Sequence, residues 1–389
     1  MHVTADDCEA PAAIRVDLGA IFVSMELSKS TWLVTSLSPG GGEKMSRHSV
    51  AGGDMAALLA CFEELRRKTQ ARTGQLYRLV VVYEAGLDGF SLHRVLDRED
   101  WIESHIVDAA SIAAPRRGRR AKTDRIDGET LVRVLLAHKR GEPRVCSMVV
   151  VPSREEEDRR RLGRERKALV GERTRHTNRI KGLLFSQGIR GYEPTRRDRR
   201  RRLCELTTGD GQQLGSQLRA ELDRELDRLE LVLEQIKAVE AERDAFAGEA
   251  QTDRPEPVTM LLAIKGIGPE FATVLYTEGL FRHFDNRRQL ASYAGLAPTP
   301  WQSGAINHEQ GVSRAGNPRL RETLIQLAWL WRRHQPHSAL TQWFEQRVQR
   351  NRGRSQKTAI VALARKLLVA LWKYVVHGVA IDDVVMKQA

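Results

Sequence analysis

The sequence predicts three regions. They are a mixed α/β domain over residues 14–150, a basic helical arm with a coiled coil over 151–256, and a mostly helical domain over 257–389. Three observations carry this division. Short apolar runs alternate with helical stripes as far as Leu136. A leucine seam at heptad spacing follows between Leu222 and Ile236, and beyond it apolar residues recur at helical spacing around a Gly-rich turn.

In the first region Ile21–Met25 and Thr31–Leu37 read as strands, joined by a hairpin connection through Glu26-Leu27-Ser28-Lys29-Ser30. Arg47–Val50 is a third strand after the turn at Pro39–Gly42. Asp54–Lys68 is a helix with Met55, Leu58, Leu59, Phe62 and Leu65 on one stripe. Arg78–Tyr83 is a continuous apolar run, the mark of a central strand buried on both faces, and Glu84 follows in the turn EAGLDG. A short helix over Phe90–Leu96, a strand at His105–Val107 and a helix opening near Asp124 complete the order. Thr123 is the expected N-cap of that last helix. Three strands, helix, strand, helix, strand, helix is the order of an RNase H-like fold, a mixed sheet with helices on both faces.

Such folds carry their acidic residues on the first strand, at the end of the fourth and on the last helix. Glu26, Glu84, Asp124 and Asp127 stand at those places. Asp124 and Asp127 are three apart and share a helix face. Carboxylates in a first helical turn also complement the helix dipole, and Glu26 and Glu84 read equally as ordinary turn residues. Four at matching topological positions favour a divalent-metal seat beside a phosphate.

The chain of 389 residues has 63 Lys and Arg against 50 Asp and Glu, a net charge of +13. The excess is clustered, as at Arg116, Arg117, Arg119, Arg120 and Lys122, and points to nucleic acid. Residues 154–202 read as a helical arm facing phosphates, because balancing acids are scarce after Glu172. No apolar run approaches the roughly 18 to 20 residues of a membrane span, and the first residues do not form a signal peptide. Cys8, Cys61, Cys146 and Cys204 are scattered, which disfavours a zinc site or disulfide framework and fits a reducing cytoplasm.

Leu222, Leu226, Leu229, Leu233 and Ile236 form the heptad seam of a long helix over Leu214–Ala250, paired within the chain or between protomers. Met260–Leu275 reads as helix, turn, helix. Lys265, Gly266 and Gly268 lie in its turn, where backbone N–H groups can approach a phosphate, as in a helix-hairpin-helix motif. Phe284–Leu296 is helical, and Thr299–Gly304 is a loop containing Ser303. A Ser-Gly pair in a loop is most simply a turn. Arg314, Arg319 and Arg321 surround Gly316-Asn317-Pro318 and can hold phosphates. Leu320–Trp331 and Lys357–Tyr374 are amphipathic helices, with Trp329, Trp331 and Trp372 expected in the core.

The blocks MELSKSTW, VYEAGLDG, AKTDRIDGETL, IKGIGPEFATVL, LASYAGLAPTPWQSG and SRAGNPRLR resemble those of a known family. It is the insertion-sequence transposases that join a RuvC-like DEDD domain to a C-terminal domain bearing a serine, the bridge-RNA-guided recombinases. The resemblance covers roughly Phe22–Leu136 and Leu261–Val348. It implies that Glu26, Glu84, Asp124 and Asp127 bind Mg²⁺ and that Ser303 forms a covalent phosphoserine link to DNA. It further implies a structured non-coding guide RNA pairing with donor and target DNA, and a homo-oligomer whose protomers can share an active site. A cytoplasmic, nucleoid-associated recombinase with no membrane partner is the corresponding expectation. The family's first acidic position is usually Asp, whereas this chain has Glu26; Asp17 is its rival. Two other readings compete: an RNase H-like nuclease or junction resolvase using water, and a non-catalytic nucleic-acid-binding relic.

Overall fold

The computed structural model describes residues 18–86, 89–112, 124–143, 145–248, 256–303, 306–350 and 356–387. They fall into two compact units that divide between Val151 and Pro152. Thr123, Asp17, Arg116, Arg117, Arg119, Arg120 and Lys122 lie outside the described residues.

The first unit is built on five strands: β1 (Ile21–Leu27), β2 (Thr31–Leu37), β3 (Ser46–Ala51), β4 (Leu79–Glu84) and β5 (Ile102–Val107). Their order across the sheet is β3-β2-β1-β4-β5. β1, β2 and β3 pair antiparallel, while β4 joins β1, and β5 joins β4, in parallel. This mixed sheet is consistent with the RNase H-like arrangement expected from the order of elements.

Alternation along the strands sorts side chains between two cores. Ile21, Val23, Met25, Leu79, Val81 and Tyr83 pack with Leu58, Phe62 and Leu65 of α1 (Met55–Thr73) and with Leu92 and Leu96 of α2 (Ser91–Leu96). Phe22, Val80 and Val82 point the other way, onto Leu131, Val132, Leu135 and Leu136 of α3 (Asp124–Lys139). The Asp54 side chain caps α1 by accepting from the Ala57 N–H at 2.9 Å, and Gly74 ends the helix at φ 75°.

In the second unit α4 (Arg154–Phe185) starts with a Ser153/Glu156 capping box and leads through α5 (Arg199–Cys204) to α6 (Ser216–Gly248). α4 and α6 run antiparallel, since Arg166 meets Glu240, His176 meets Glu225 and Arg179 meets Glu221. The leucine seam faces α4: Leu222, Leu226 and Leu229 are wholly buried with Ile180, Leu184, Tyr192 and Leu203. Farther along, Ile236 packs with Leu169. The seam is therefore filled within the chain, and it is not a free surface for a second protomer.

The remaining core gathers α7 (Glu256–Leu262), α8 (Pro269–Leu275), α9 (Arg287–Tyr293), α10 (Pro318–His334), α11 (Ala339–Arg350) and α12 (Gln356–His377). A five-residue π-helical turn, Tyr276–Leu280, extends α8. Two expectations are corrected here. The stretch read as a loop is strand β6 (Pro298–Ser303), paired antiparallel with β7 (Ile306–Val312); the partner strand is polar and gives no apolar signal of its own. Trp331 and Trp372 are in the core, but Trp329 is 40% exposed, with the Arg332 guanidinium 5.4 Å from its ring centre. Among the described residues no helix is long and apolar enough to cross a membrane.

Leu226→Ala removes a wholly buried side chain between α4 and α6 and should cost about 2–5 kcal/mol. Chemical denaturation of the full chain should show the second unit's midpoint falling, whereas the same change at the exposed Leu231 should leave it nearly unmoved.

Candidate active site

β1 and β4 pair in parallel with Met25 opposite Tyr83, so the next residues, Glu26 and Glu84, reach the carboxyl ends of adjacent strands at the same level. By alternation both belong to the face that carries α3. Glu84 is exposed and Glu26 partly buried, so the pair sits where the sheet opens to solvent.

α3 is held on that face by an unusually close approach. The Ser24 hydroxyl donates to the Gly128 carbonyl at 2.7 Å. Ser24 is paired with Thr35 on β2, and a Cβ on Gly128 would lie 2.7 Å from the Thr35 Oγ1. Only glycine lets the helix backbone come down onto these two hydroxyl residues. Asp127 directly precedes this contact, and Ser24 stands two residues before Glu26 on the same face. Thus Glu26 and Asp127 each lie within two residues of the docking contact, and Glu84 ends the strand paired with that of Glu26. Asp124 is the first residue of α3, and its side chain lies outside the described part. The donor set is all carboxylate, as a hard divalent cation requires. Among the described residues no three acidic, His or Cys side chains are already gathered at metal-binding distance.

Ser24, Thr35 and Gly128 are site-building residues that sequence reasoning missed. A usable signal was present: a small polar residue two before Glu26, and a glycine directly after Asp127.

In the second unit Ser303 is the last residue of β6, opposite Ile306 at the hairpin tip; its side chain lies outside the described part. The root of the hairpin is closed by the Ser313 N–H donating to the Ala297 carbonyl at 2.7 Å. Asn317 follows, its side chain accepting from the N–H groups of Arg319 and Leu320 as the N-cap of α10. Its amide also donates to the Glu278 carboxylate at 2.9 Å. Glu278 is nearly wholly buried and pairs with Arg164 at 3.2 Å and Arg319 at 3.8 Å. Arg319, expected to hold phosphate, is thus mostly withdrawn from solvent, and burial lowers its guanidinium pKa while Glu278 opposes that shift. Arg321 donates to the Arg314 carbonyl at 2.8 Å and braces the same loop, leaving the Arg314 residue exposed.

In the expected helix-hairpin-helix turn Lys265 is exposed, but its N–H donates to the Val385 carbonyl at 3.1 Å. Gly266, at φ 94°, packs on His334, where a Cβ would come within 2.7 Å of the His334 Cβ. Gly268 precedes α8 with open space around it.

The arm is less bare than its sequence suggests. Arg166, Arg179, Arg199 and Arg200 are paired with Glu240, Glu221 and Glu230 of α6. The acids expected to be missing come from the antiparallel partner, between 30 and 74 residues away in sequence.

A mixed sheet consistent with an RNase H-like domain, in a chain that also carries a basic helical unit, suits a protein that acts on nucleic acid. Residues 258–342 match the family model for the IS116/IS110/IS902 transposases. The chain is 68% identical to the transposase y4rJ of Sinorhizobium fredii over 97% of this chain and 98% of that protein. It is 27% identical to the transposase for insertion sequence element IS1328 of Yersinia enterocolitica, over 56% of this chain and 62% of that one. A pilin gene-inverting protein of Moraxella bovis is 33% identical over 28% of this chain and 34% of its own. The chain belongs to the IS110/IS116 family of transposases, enzymes that cut and rejoin DNA.

The arm's ion pairs predict a pH dependence. The Arg200 guanidinium holds the Glu230 carboxyl below its ordinary 4.5, with burial opposing and Arg199 adding to the effect. A depressed carboxyl contributes stability above 4.5 that is lost as pH falls through its folded-state value. Denaturation midpoints measured on acidification should therefore drop less below that pH in Glu230→Gln than in the wild type.

Proposed function

We propose that this transposase cuts and rejoins DNA through a covalent link between the Ser303 hydroxyl and a DNA phosphate. In this reading Glu26, Glu84, Asp124 and Asp127 hold Mg²⁺. The observation that carries the proposal is the register of β1 on β4 together with the docking of Gly128. Glu26 and Glu84 follow the paired Met25 and Tyr83 at adjacent strand ends, and Asp127 precedes the glycine docked on Ser24, which supports a shared carboxylate site.

A serine hydroxyl is a weak nucleophile, and a divalent ion bound by carboxylates supplies charge stabilisation for a phosphoryl-transfer transition state. Ser303 forms a new ester to phosphorus as the deoxyribose oxygen leaves and takes up a proton. Rejoining is the reverse attack by a DNA hydroxyl, which returns the proton to serine. Bond energy is conserved at each exchange, so no nucleotide cofactor is needed. The placement of Ser303 at a strand end inside the family-matched segment supports this role. Carboxylates alone would equally suit a nuclease that uses water, and the two differ in the covalent adduct.

A structured non-coding RNA from the element's own end is proposed to supply sequence recognition by base pairing with donor and target DNA. The +13 net charge and exposed arginines such as Arg190 and Arg197 support it. The active assembly is proposed to be a homo-oligomer. Since the α6 seam is filled within the chain, its contacts must lie elsewhere.

A plasmid carrying the whole element with its flanking DNA provides the assay, with new junctions counted by quantitative PCR and protein–DNA adducts resolved on denaturing gels. Ser303→Ala should abolish both adducts and junctions, and Asp127→Asn should reduce both at least about 100-fold. Cleavage at the wild-type rate by Ser303→Ala would establish water as the nucleophile. Sequencing RNA that co-purifies with the full chain should return one discrete transcript from the element. A random sample of cellular RNA would overturn the guide.

A further inference from the structure

The β6–β7 hairpin is secured mainly at its root. Among the described residues the backbone of its two strands lies mainly against each other. β6 is six residues long, so its tip stands about 17 Å from the root. A change of about 10° at the root therefore moves position 303 by roughly 3 Å. Displacements near 1 Å can cost on the order of 100-fold in a positioned reaction. Whatever fixes the root thus governs where the hydroxyl goes.

The root is stapled by a small set of groups. Gly316, at φ 114°, lies so close to α9 that a Cβ would meet the Tyr293 carbonyl at 2.5 Å and the Ser292 carbonyl at 2.7 Å. The Asn317 N–H donates to that same Tyr293 carbonyl at 2.7 Å. The Asn317 side chain then reaches in two directions at once. Its oxygen caps α10, and its amide donates to the Glu278 carboxylate at 2.9 Å and reaches toward the Tyr293 hydroxyl at 3.4 Å. Glu278 is inside the protein because Thr277, Glu278, Gly279 and Leu280 are all buried in the π-helical turn. π-turns of this kind are frequent at functional sites. Arg164 and Arg319 hold the carboxylate from the other side.

We propose that Glu278 and Asn317 are positioning residues. Their hydrogen bond ties the departing end of the hairpin to the helical core and sets the direction in which Ser303 is presented to DNA. The inference rests on Ser303 being the attacking group, but the latch itself is a statement about the hairpin root. A carboxylate suits the task because it answers Asn317 and two arginines together. An amide suits the other side because one end caps while the other donates.

The test uses the full chain with Asn317→Asp, Glu278→Gln and the double variant. Aspartate caps a helix as well as asparagine. Asn317→Asp therefore keeps the cap and sets two carboxylates against each other. The double variant exchanges the two groups: the new amide at position 278 donates to the new carboxylate at position 317, and one negative charge still faces the arginines. Asn317→Ser is the companion variant, which keeps a cap and removes the donor without adding charge.

Two readouts are taken: amide hydrogen exchange at Ser313 and Asn317, and junction formation from the element plasmid. Asn317→Asp and Asn317→Ser should speed exchange at the root and lower junctions roughly 10- to 100-fold. The double variant should recover junctions to within about threefold of wild type, which a loss of global stability would not explain. Unchanged exchange in both single Asn317 variants, or no recovery in the double variant, overturns the latch. Faster exchange with undiminished junctions overturns its role in the reaction. An active Ser303→Ala beside an impaired Asn317→Asp would remove the serine as nucleophile and leave the latch standing.

Discussion

The carboxylate end of the first unit depends on one close contact, the descent of the α3 backbone at Gly128 onto Ser24 and Thr35. Two hydroxyl residues sit side by side on β1 and β2, on the same face as the apolar Phe22, Val80 and Val82. One of them is satisfied by the helix carbonyl itself. Leu131, Val132 and Leu135 supply the burial that holds the helix down, but apolar packing alone does not fix its height or register along the sheet. The directed Ser24 hydrogen bond and the missing Cβ do. A helix lifted by one methyl group would carry Asp127 away from the strand ends where Glu26 and Glu84 emerge. The glycine is also a poor helix residue by roughly 1 kcal/mol relative to alanine, a local cost accepted for the geometry of its neighbour.

In the second unit charge is used structurally before it is used for binding. The helical hairpin of α4 and α6 is laced by arginine–glutamate pairs. Most are partly exposed, and such pairs contribute little each, at most about 1 kcal/mol. What they fix is pairing direction: the seam of α6 would tolerate sliding by a heptad, and the ladder of unlike charges would not. The arginines that remain for phosphate are those without such partners, and they cannot be identified from a basic composition. Net charge states that the chain attracts polyanions. Only the pairing pattern says which side chains are free to touch one.

The sequence made legible whatever repeats locally. Apolar runs revealed β1, β2 and β4, a helical stripe revealed α1, and heptad spacing revealed α6. What it hid depends on distant partners. β7 reads Ile-Asn-His-Glu-Gln-Gly-Val and becomes a strand because β6 pairs with it. Trp329 was assigned to the core by its residue type, yet its helix turns that position outward. Arg319 looked like a surface cation in a basic loop and is instead mostly enclosed beside Glu278. Glu278 itself gave no warning. In a regular helix it would be one more surface carboxylate, and the extra residue of the π-turn is invisible to a 3.6-residue count. Of the candidate acids, Glu26, Glu84 and Asp127 were readable as positions, but the Ser24–Gly128 contact that organises them was not.

Burying Glu278 is the costlier choice, and that cost bears on its purpose. An apolar residue there would spare the desolvation of a carboxylate and of Arg319, and replacing such buried ionic groups with well-packed apolar ones is often neutral or stabilising. Removing a single partner, by contrast, strands the others and typically costs about 3–5 kcal/mol. Stability alone is therefore a weak reason for the arrangement. Orientation is a better one, because hydrogen bonds among Asn317, Glu278 and Arg164 are satisfied in one geometry, whereas leucines would accept several. The two units thus solve the same problem in parallel. Each places a polar anchor inside an apolar surface directly beside the residues whose direction matters, Ser24 under α3 and Glu278 under the root of the hairpin.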